Sequence, residues 1–280
     1  MIRLGPDVPH QPVLITVPHA GRDYPVAMSK LCRLPLANLK VLEDRFADLL
    51  VDTAVANGHP ALIATAPRAW IDLNREESEF DPAIVEPPQG MRPQNSRKVV
   101  GGLGVVPARI GNGGAIWRHR ISAGDFVERL ETAHRPWHAA IEASLDETAA
   151  AFGVAVLVDL HSMPPLRGRF GDAQPDIVIG DLYGKSAYGW AGAVAAEIAR
   201  AHGLRPALNA PYAGGHGVAR HGRPRHGIHA IQVEVDRSLY LDRERDGPGP
   251  RLPAIQAFTA ALADALADEA LARALPLAAE

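Results

Sequence analysis

Val154-Ala-Val-Leu-Val-Asp159-Leu-His161-Ser-Met-Pro164 is the stretch whose reading decides the fold. Its residues are apolar at successive positions, so both faces of a strand would be covered, as in the interior of a parallel sheet. The run then ends in an acid and a histidine before a proline. Two other segments end in the same manner. Val13-Leu-Ile-Thr-Val17 runs into Pro18-His19-Ala20-Gly21, and Ile228-His-Ala-Ile-Gln232-Val-Glu234-Val235 runs into Asp236-Arg237. In open α/β sheets chemistry sits at the carboxyl ends of the strands. Two imidazoles and a carboxylate at three such ends point to a metal-dependent hydrolase.

Composition narrows the classes. The chain has 280 residues, 47% hydrophobic and 22% charged, which fits a soluble protein with a sizeable core. A net charge of -3 argues against nucleic-acid and membrane-surface partners, which call for a basic excess. The single cysteine, Cys32, excludes an intrachain disulfide and a cysteine-rich zinc site. No apolar run approaches the ~20 residues of a membrane span and no signal-peptide core opens the chain, so a cytoplasmic location is expected.

Strand and helix patterns alternate, which reads as an α/β sheet within one domain over 1–280. Strands are expected at Val13–Val17, Ala61–Thr65, Val154–Leu160, Asp176–Gly180 and Ile228–Val235. Leu36–Ala56 reads as a helix, with Leu39, Leu42, Phe46, Leu49 and Leu50 at helical spacing. Ser122 caps a long helix reaching Phe152, which Pro136 should kink. Ser186–His202 and an alanine-rich C-terminal segment with Ile255, Phe258, Leu262 and Leu266 on one side complete the helices. Residues 76–114 are rich in proline and glycine and read as an irregular loop over the substrate.

The polar side chains carry the chemistry. His19 lies between a buried strand and Gly21, where a small residue lets the backbone turn and leaves the imidazole accessible. Asp159 and His161 are two apart and share a strand face; a carboxylate beside a ligating histidine orients the ring. Glu234 shares a face with Gln232, while Ile231, Val233 and Val235 face the other way. A carboxylate deep in a β-run is costly unless it is paired, for instance with Arg237, or bound to a cation. Glu43, Asp44 and Asp48 form an acidic cluster, with Asp44 and Asp48 on one helix face. Trp70-Ile-Asp72-Leu-Asn74-Arg75 alternates like a strand, and Arg75 suits either a substrate carboxylate or Asp72. Asn209-Ala-Pro-Tyr212-Ala-Gly214-Gly215-His216-Gly217 is a glycine-rich turn suited to close approach of a ligand; without a P-loop lysine or a GxGxxG pattern it does not bind nucleotide. His134 and His138 are four apart, but Arg135 stands where an H-E-x-x-H zinc site has its glutamate, so the pair reads as surface. Ser162 lacks a G-x-S-x-G elbow, against a serine hydrolase.

Taken in order, Pro18-His19-Ala-Gly21, Glu43-Asp44-Arg-Phe-Ala-Asp48, Asp72-Leu-Asn74-Arg75, Asp159-Leu-His161-Ser-Met-Pro164, Gly180-Asp181-Leu-Tyr-Gly184-Lys-Ser186, Asn209-Ala-Pro-Tyr212-Ala-Gly214-Gly215 and His229-Ala-Ile-Gln232-Val-Glu234-Val-Asp236-Arg237-Ser-Leu-Tyr240 resemble the N-formylglutamate amidohydrolase (deformylase) family. The resemblance implies a mixed central sheet flanked by helices, like that of zinc carboxypeptidases. It implies hydrolysis of N-formyl-L-glutamate to formate and glutamate in histidine degradation, with one zinc ion, although other divalent metals suit such donors. His19 and His161 correspond to metal ligands. The third comes from the acidic cluster, Asp44 in preference to Glu43 or Asp48. Glu234 corresponds to the catalytic carboxylate, with Asp159 and Gln232 beside it and behind the ligands. Arg75, Asn209, Tyr212 and Gly215 correspond to the pocket for an acidic N-acyl amino acid. The chain departs from many relatives at Asp44-Arg45, where they carry Asp-Trp, and at Gly215-His216, where they carry Gly-Tyr. The second departure bears on the substrate more than the reaction. Two other readings stay open: an amidohydrolase for another N-acyl amino acid or small peptide, and a non-catalytic homologue that binds an acidic metabolite. The oligomeric state is open as well.

Overall fold

Among the described residues seven strands form, five of them where the apolar runs lie, and they pair into one mixed sheet. In this computed structural model, which describes residues 1–111, 114–166 and 174–274, the strands are β1 (Ile2–Leu4), β2 (Val13–Val17), β3 (Ala61–Ile63), β4 (Ala155–Met163), β5 (Ile177–Gly180), β6 (Pro206–Leu208) and β7 (Ile228–Asp236). Their order across the sheet is β1-β3-β2-β4-β7-β5-β6. The centre, β3-β2-β4-β7, is parallel. β1 adds antiparallel at one edge, and β5 pairs antiparallel with β7. Every residue of β2 and β4 is buried, as their predominantly apolar runs require, and the polar Thr16, Asp159, His161 and Ser162 are buried with them. This is the expected α/β class with a mixed sheet and flanking helices.

By its contacts the chain divides into two compact units. The sheet unit comprises Ile2–Val17, Asp44–Ile63 and Ile141–Glu280, and holds all seven strands. In it the helices Asp52–Ala56 and Gly189–Ala201 each pack against Leu252–Ala274, which also packs on β2 and β4. Ile255, Phe258, Leu262 and Leu266 are among its buried positions, as their spacing requires. A short helix, His216–His221, packs on β4 and β7. The glycine-rich stretch expected as a turn over 209–217 is thus helical from His216 onward.

The other unit comprises Met1, Pro18–Glu43 and Ala64–Ala140, and is mostly turns. Ser122 Oγ accepts the Asp125 N–H at 3.1 Å and opens the helix Ala123–Arg129, the cap expected there. A π-helical turn, Leu130–His134, follows before the helix resumes at Arg135–Phe152. Pro136 has no N–H, and its ring crowds the carbonyl four residues back. The wider turn takes up that mismatch, so the expected kink appears as a π segment. Phe126 packs on Phe80 with ring centroids 5.1 Å apart. The Arg129 guanidinium lies 3.5 Å from the Trp70 ring centroid and 4.8 Å from that of Trp117. Residues 76–114 are irregular as expected, apart from the one-turn helix Arg97–Val100; residues 112 and 113 lie outside the described ones.

His134 and His138 are not a surface pair. Both are fully buried, and their Nε2 atoms bond the carbonyls of Arg75 at 2.8 Å and Leu73 at 3.0 Å. Two imidazoles thus satisfy backbone acceptors in a stretch, 70–75, that forms turns rather than the expected strand. Among the described residues no helix is long and apolar enough to cross a membrane.

Candidate metal centre

Register places the polar side chains of the central strands together. Thr16 on β2 lies opposite Asp159 on β4, which lies opposite Gln232 on β7. Two residues on, His161 lies opposite Glu234. Residues in register share a face, and so do residues two apart, so Thr16, Asp159, His161, Gln232 and Glu234 all project to one side near the carboxyl ends of the strands. Their contacts follow. Thr16 Oγ1 donates to Asp159 Oδ1 at 2.8 Å. Asp159 Oδ2 lies 3.0 Å from His161 Nε2. The Gln232 amide donates to Glu234 Oε1 at 2.8 Å. The expected grouping of Asp159 with His161 and of Gln232 with Glu234 is therefore present.

Asp44 enters this cluster from a break in the chain. The segment expected as one helix over Leu36–Ala56 is divided into Leu36–Leu39, Lys40–Leu42, Ala47–Val51 and Asp52–Ala56. Glu43 is extended and Phe46 is left-handed, with φ 56°. The cause is distant in sequence. The turn after β7 holds this stretch: Tyr240 donates its hydroxyl to the Arg45 carbonyl at 2.9 Å, and Arg237 Nη2 donates to Asp44 Oδ1 at 3.2 Å. Asp44 Oδ2 then lies 3.1 Å from His161 Nδ1. The helical argument that put Asp44 and Asp48 on one face does not apply to this geometry.

Electrostatics favour a cation here. Burial opposes charge on the His161 ring, yet Asp159, Asp44 and Glu234 outweigh it and raise its pKa well above the ordinary value. Three carboxylates around one imidazole, with Arg237 on Asp44, leave an excess of negative charge that a buried site must neutralise. His161 and Asp44 make a His/Asp group that could hold a metal. Two donors each ~2.0–2.1 Å from a tetrahedral ion stand roughly 3.3 Å apart, close to the 3.1 Å between His161 Nδ1 and Asp44 Oδ2. Asp159 occupies the other ring nitrogen, as the carboxylate behind a ligating histidine does. The donors present fit a divalent metal.

The end of β5 and the segment after β6 form the rim. Gly180 is required: a Cβ there would come within 2.5 Å of the Ala213 carbonyl carbon. Asn209, at φ 56°, accepts the Asp181 N–H at 3.0 Å and the Tyr183 N–H at 3.3 Å through Oδ1, and donates from Nδ2 to Asp181 Oδ1 at 2.8 Å. Its amide therefore holds the 181–184 turn, where Leu182 and Tyr183 are also left-handed, at φ 54° and 57°. Such backbone is uncommon outside glycine and clusters at functional sites. Tyr212 is half-buried, and burial, Glu234 and Asp44 raise its phenol pKa against an opposing effect of Arg237. That coupling puts it among the same charges. Gly215 is extended and leads into His216–His221.

His19 and Arg75 belong to the other unit. His19 is 2% exposed rather than accessible, and its Nε2 lies 2.8 Å from Asp72 Oδ1. Asp72 also accepts from Arg68 Nε and the Asn74 N–H, each at 2.9 Å. Burial alone would raise the Asp72 pKa, but Arg68, His19 and Arg75 carry it well below the usual carboxylate range. An ionised Asp72 draws the proton of a neutral imidazole to Nε2, leaving the lone pair on Nδ1. His161 has the same arrangement with Asp159. Arg75 donates from Nε to the Leu103 carbonyl at 3.0 Å and from Nη1 to that of Asn74 at 2.5 Å. The expected alternative, an Asp72–Arg75 ion pair, is present only at 4.0 Å. Glu43 accepts the Tyr24 hydroxyl at 2.5 Å. A glycine at 21 is needed because a Cβ would run into Ala66. Two partners escaped the sequence reading: Asp72 as the carboxylate on His19, and Arg237 as the donor to Asp44. The signal for the first was an aspartate in a mostly apolar stretch; for the second, an arginine at a strand end.

Known proteins resemble the chain along most of its length. The sequence profile of the N-formylglutamate amidohydrolase family matches residues 11–241. The N-formylglutamate deformylase of Pseudomonas aeruginosa is 29% identical over 238 residues, covering 83% of each chain. That of Pseudomonas putida is 29% identical over 244 residues, covering 82% of each. The crystal structure of N-formylglutamate amidohydrolase from Ralstonia eutropha JMP134 matches with a TM-score of 0.86 and 25% identity, over 96% of both chains. A gene product of Agrobacterium tumefaciens shares the fold, with a TM-score of 0.58 at 18% identity.

Proposed function

The chain belongs to the N-formylglutamate amidohydrolase family, and on that premise we propose that it hydrolyses N-formyl-L-glutamate to formate and L-glutamate. The observation that carries this reading is the His161–Asp44 pair set between Asp159 and Glu234 at the ends of β4 and β7. His161, Asp44 and His19 are the residues that would hold a zinc ion. His19 follows Thr16 by three residues, and three residues of chain reach at most ~11 Å. Its connection to β2 therefore keeps it in range of the strand ends.

When bound, the metal lowers the pKa of water towards ~7 and polarises the acyl oxygen. Glu234 takes the proton of the attacking water and returns it to the leaving amine nitrogen as the C–N bond breaks. The Gln232 amide on Glu234 Oε1 fixes that carboxylate and directs its other oxygen to the proton. Tyr212, kept protonated by its surroundings, donates a hydrogen bond to the substrate. Arg75 receives the substrate carboxylate, and Asn209 and Gly215 shape the wall of the pocket.

The test is formate release from N-formyl-L-glutamate by zinc-loaded protein, with and without a chelator. Release that the chelator abolishes and zinc restores supports the proposal. Absence of release from fully loaded protein overturns it. N-formyl-aspartate, N-acetyl-glutamate and dipeptides belong in the same assay, because His216 replaces a tyrosine in the rim. Faster turnover of one of these reassigns the substrate and leaves the reaction type standing.

A further inference from the structure

Arg237 lies just beyond β7, and its place is set by the backbone. Asp236 accepts the Ser238 N–H at 2.8 Å through Oδ1 and caps the turn Arg237–Leu239. The arginine side chain from that turn reaches the end of β4, where Nη2 donates to the Ser162 carbonyl at 2.9 Å. The same nitrogen donates to Asp44 Oδ1 at 3.2 Å. Asp44 is almost fully buried, and the Arg237 side chain is only 12% exposed. One guanidinium nitrogen thus ties a carboxylate from the chain break at 43–46 to the strand that carries His161.

From this we infer that Arg237 is a positioning residue for Asp44: by holding Oδ1 it turns Oδ2 to the His161 Nδ1 side, so that a single oxygen is offered to the metal. A carboxylate free to rotate would present either oxygen, or both, at variable distance from the imidazole. Fixing it beforehand removes an ordering cost from metal binding. An arginine suits the task because its nitrogens are held in a rigid plane and its charge is permanent. The ammonium of lysine keeps the charge without that plane. The inference rests on the metal reading above.

The experiment measures zinc affinity directly, by competition with a chromophoric chelator, for wild-type protein, Arg237→Gln and Arg237→Lys. Turnover of N-formyl-L-glutamate is followed in parallel at saturating zinc. Arg237→Gln should raise the zinc Kd by about 10–100-fold, the range found when a residue supporting a ligand is lost. Arg237→Lys should recover part of the affinity. KM at saturating zinc should stay within about twofold, since Arg237 acts through Asp44 and not on the substrate. In an Asp44→Asn background, Arg237→Gln should have little further effect on the zinc Kd. If Arg237→Gln does not fold, the lysine variant and the double-variant comparison made with it decide. A wild-type Kd with Arg237 variants within threefold of it overturns the inference alone. A raised KM with unchanged zinc Kd also overturns it, and assigns Arg237 to the substrate. Wild-type protein that binds no zinc overturns the metal reading together with this one.

Discussion

Replacing Asp159 by asparagine tests the site at the point where geometry gives a magnitude. The aspartate is buried, accepts the Thr16 hydroxyl at 2.8 Å with one oxygen, and lies 3.0 Å from His161 Nε2 with the other. Asparagine has the same shape but one acceptor oxygen. Whichever way the amide turns, an NH2 meets either the Thr16 hydroxyl or His161 Nε2. The hydroxyl can rotate, so the amide oxygen should go to the ring, and the charge that favoured that tautomer is gone in either case. A hydrogen bond to a charged group is worth about 1.5–3 kcal/mol, and each 1.4 kcal/mol is tenfold in affinity. Zinc should therefore bind about 10–100-fold more weakly to Asp159→Asn, in line with the usual loss of such a partner. Thr16→Val removes only a neutral donor, worth about 0.5–1.5 kcal/mol, and should weaken binding less than about tenfold. Chelator competition at fixed pH reads both, with circular dichroism of the metal-free proteins as the control on folding. A zinc Kd for Asp159→Asn within threefold of wild type, or one moved less than that of Thr16→Val, would refute the reasoning.

Glu234→Gln should keep wild-type zinc content while formate release falls about 10²–10⁴-fold, the effect of losing a general base; a variant with more than a tenth of wild-type turnover removes Glu234 from that role. Asn209→Ala should lose about 1–3 kcal/mol of stability, because alanine leaves a left-handed backbone and unpaired groups in the 181–184 turn, whereas Asn209→Gly should lose less; equal losses in chemical denaturation would show that φ does not matter there. His229 gives a pH prediction. Burial, with Arg273, lowers its pKa to about 4, and its Nδ1 accepts the Tyr188 N–H at 3.3 Å. Above its ordinary value both folded and unfolded chains hold a neutral ring. Below that, the unfolded chain takes up a proton first, so stability falls until the pH reaches the folded value of about 4. The total is about 3 kcal/mol, of which about 2 should be lost between pH 7 and 5 by wild type but not by His229→Leu; parallel denaturation curves for the two proteins would exclude it.

The central strands could be read from sequence because apolar residues dominate each of them on both faces, and burial on both faces is what such a run encodes. Their register could not be read, yet register is what places His161 beside Glu234 and Asp159 beside Gln232. The Ser122 cap was legible because its partner is three residues away. The break at 43–46 was not, since Arg237 and Tyr240, nearly two hundred residues on, hold it. Local spacing there is helical, and tertiary contacts override it. β1 and β6 are three-residue strands at the sheet edges, too short for a period to show. His134 and His138 read as a surface pair because Arg135 stands where an H-E-x-x-H zinc site has its glutamate, which removed a reason to bury them. Their partners are the carbonyls of an irregular stretch about sixty residues earlier, which leaves no local trace. Pairwise motifs located the candidate residues. Only the folded chain shows which atom of each meets which.

The separation between the polar row on β2, β4 and β7 and the rim at 180–184 and 209–217 has an evolutionary consequence. The row is fixed twice over, by alternation along each strand and by pairing between strands, so a single insertion in β4 would rotate His161 to the opposite face and abolish the centre. The rim has no such constraint beyond its own turn. Substitutions there would leave the polar row on the strands in place. Diversification of this scaffold should accumulate in the rim, with the strands inherited almost intact.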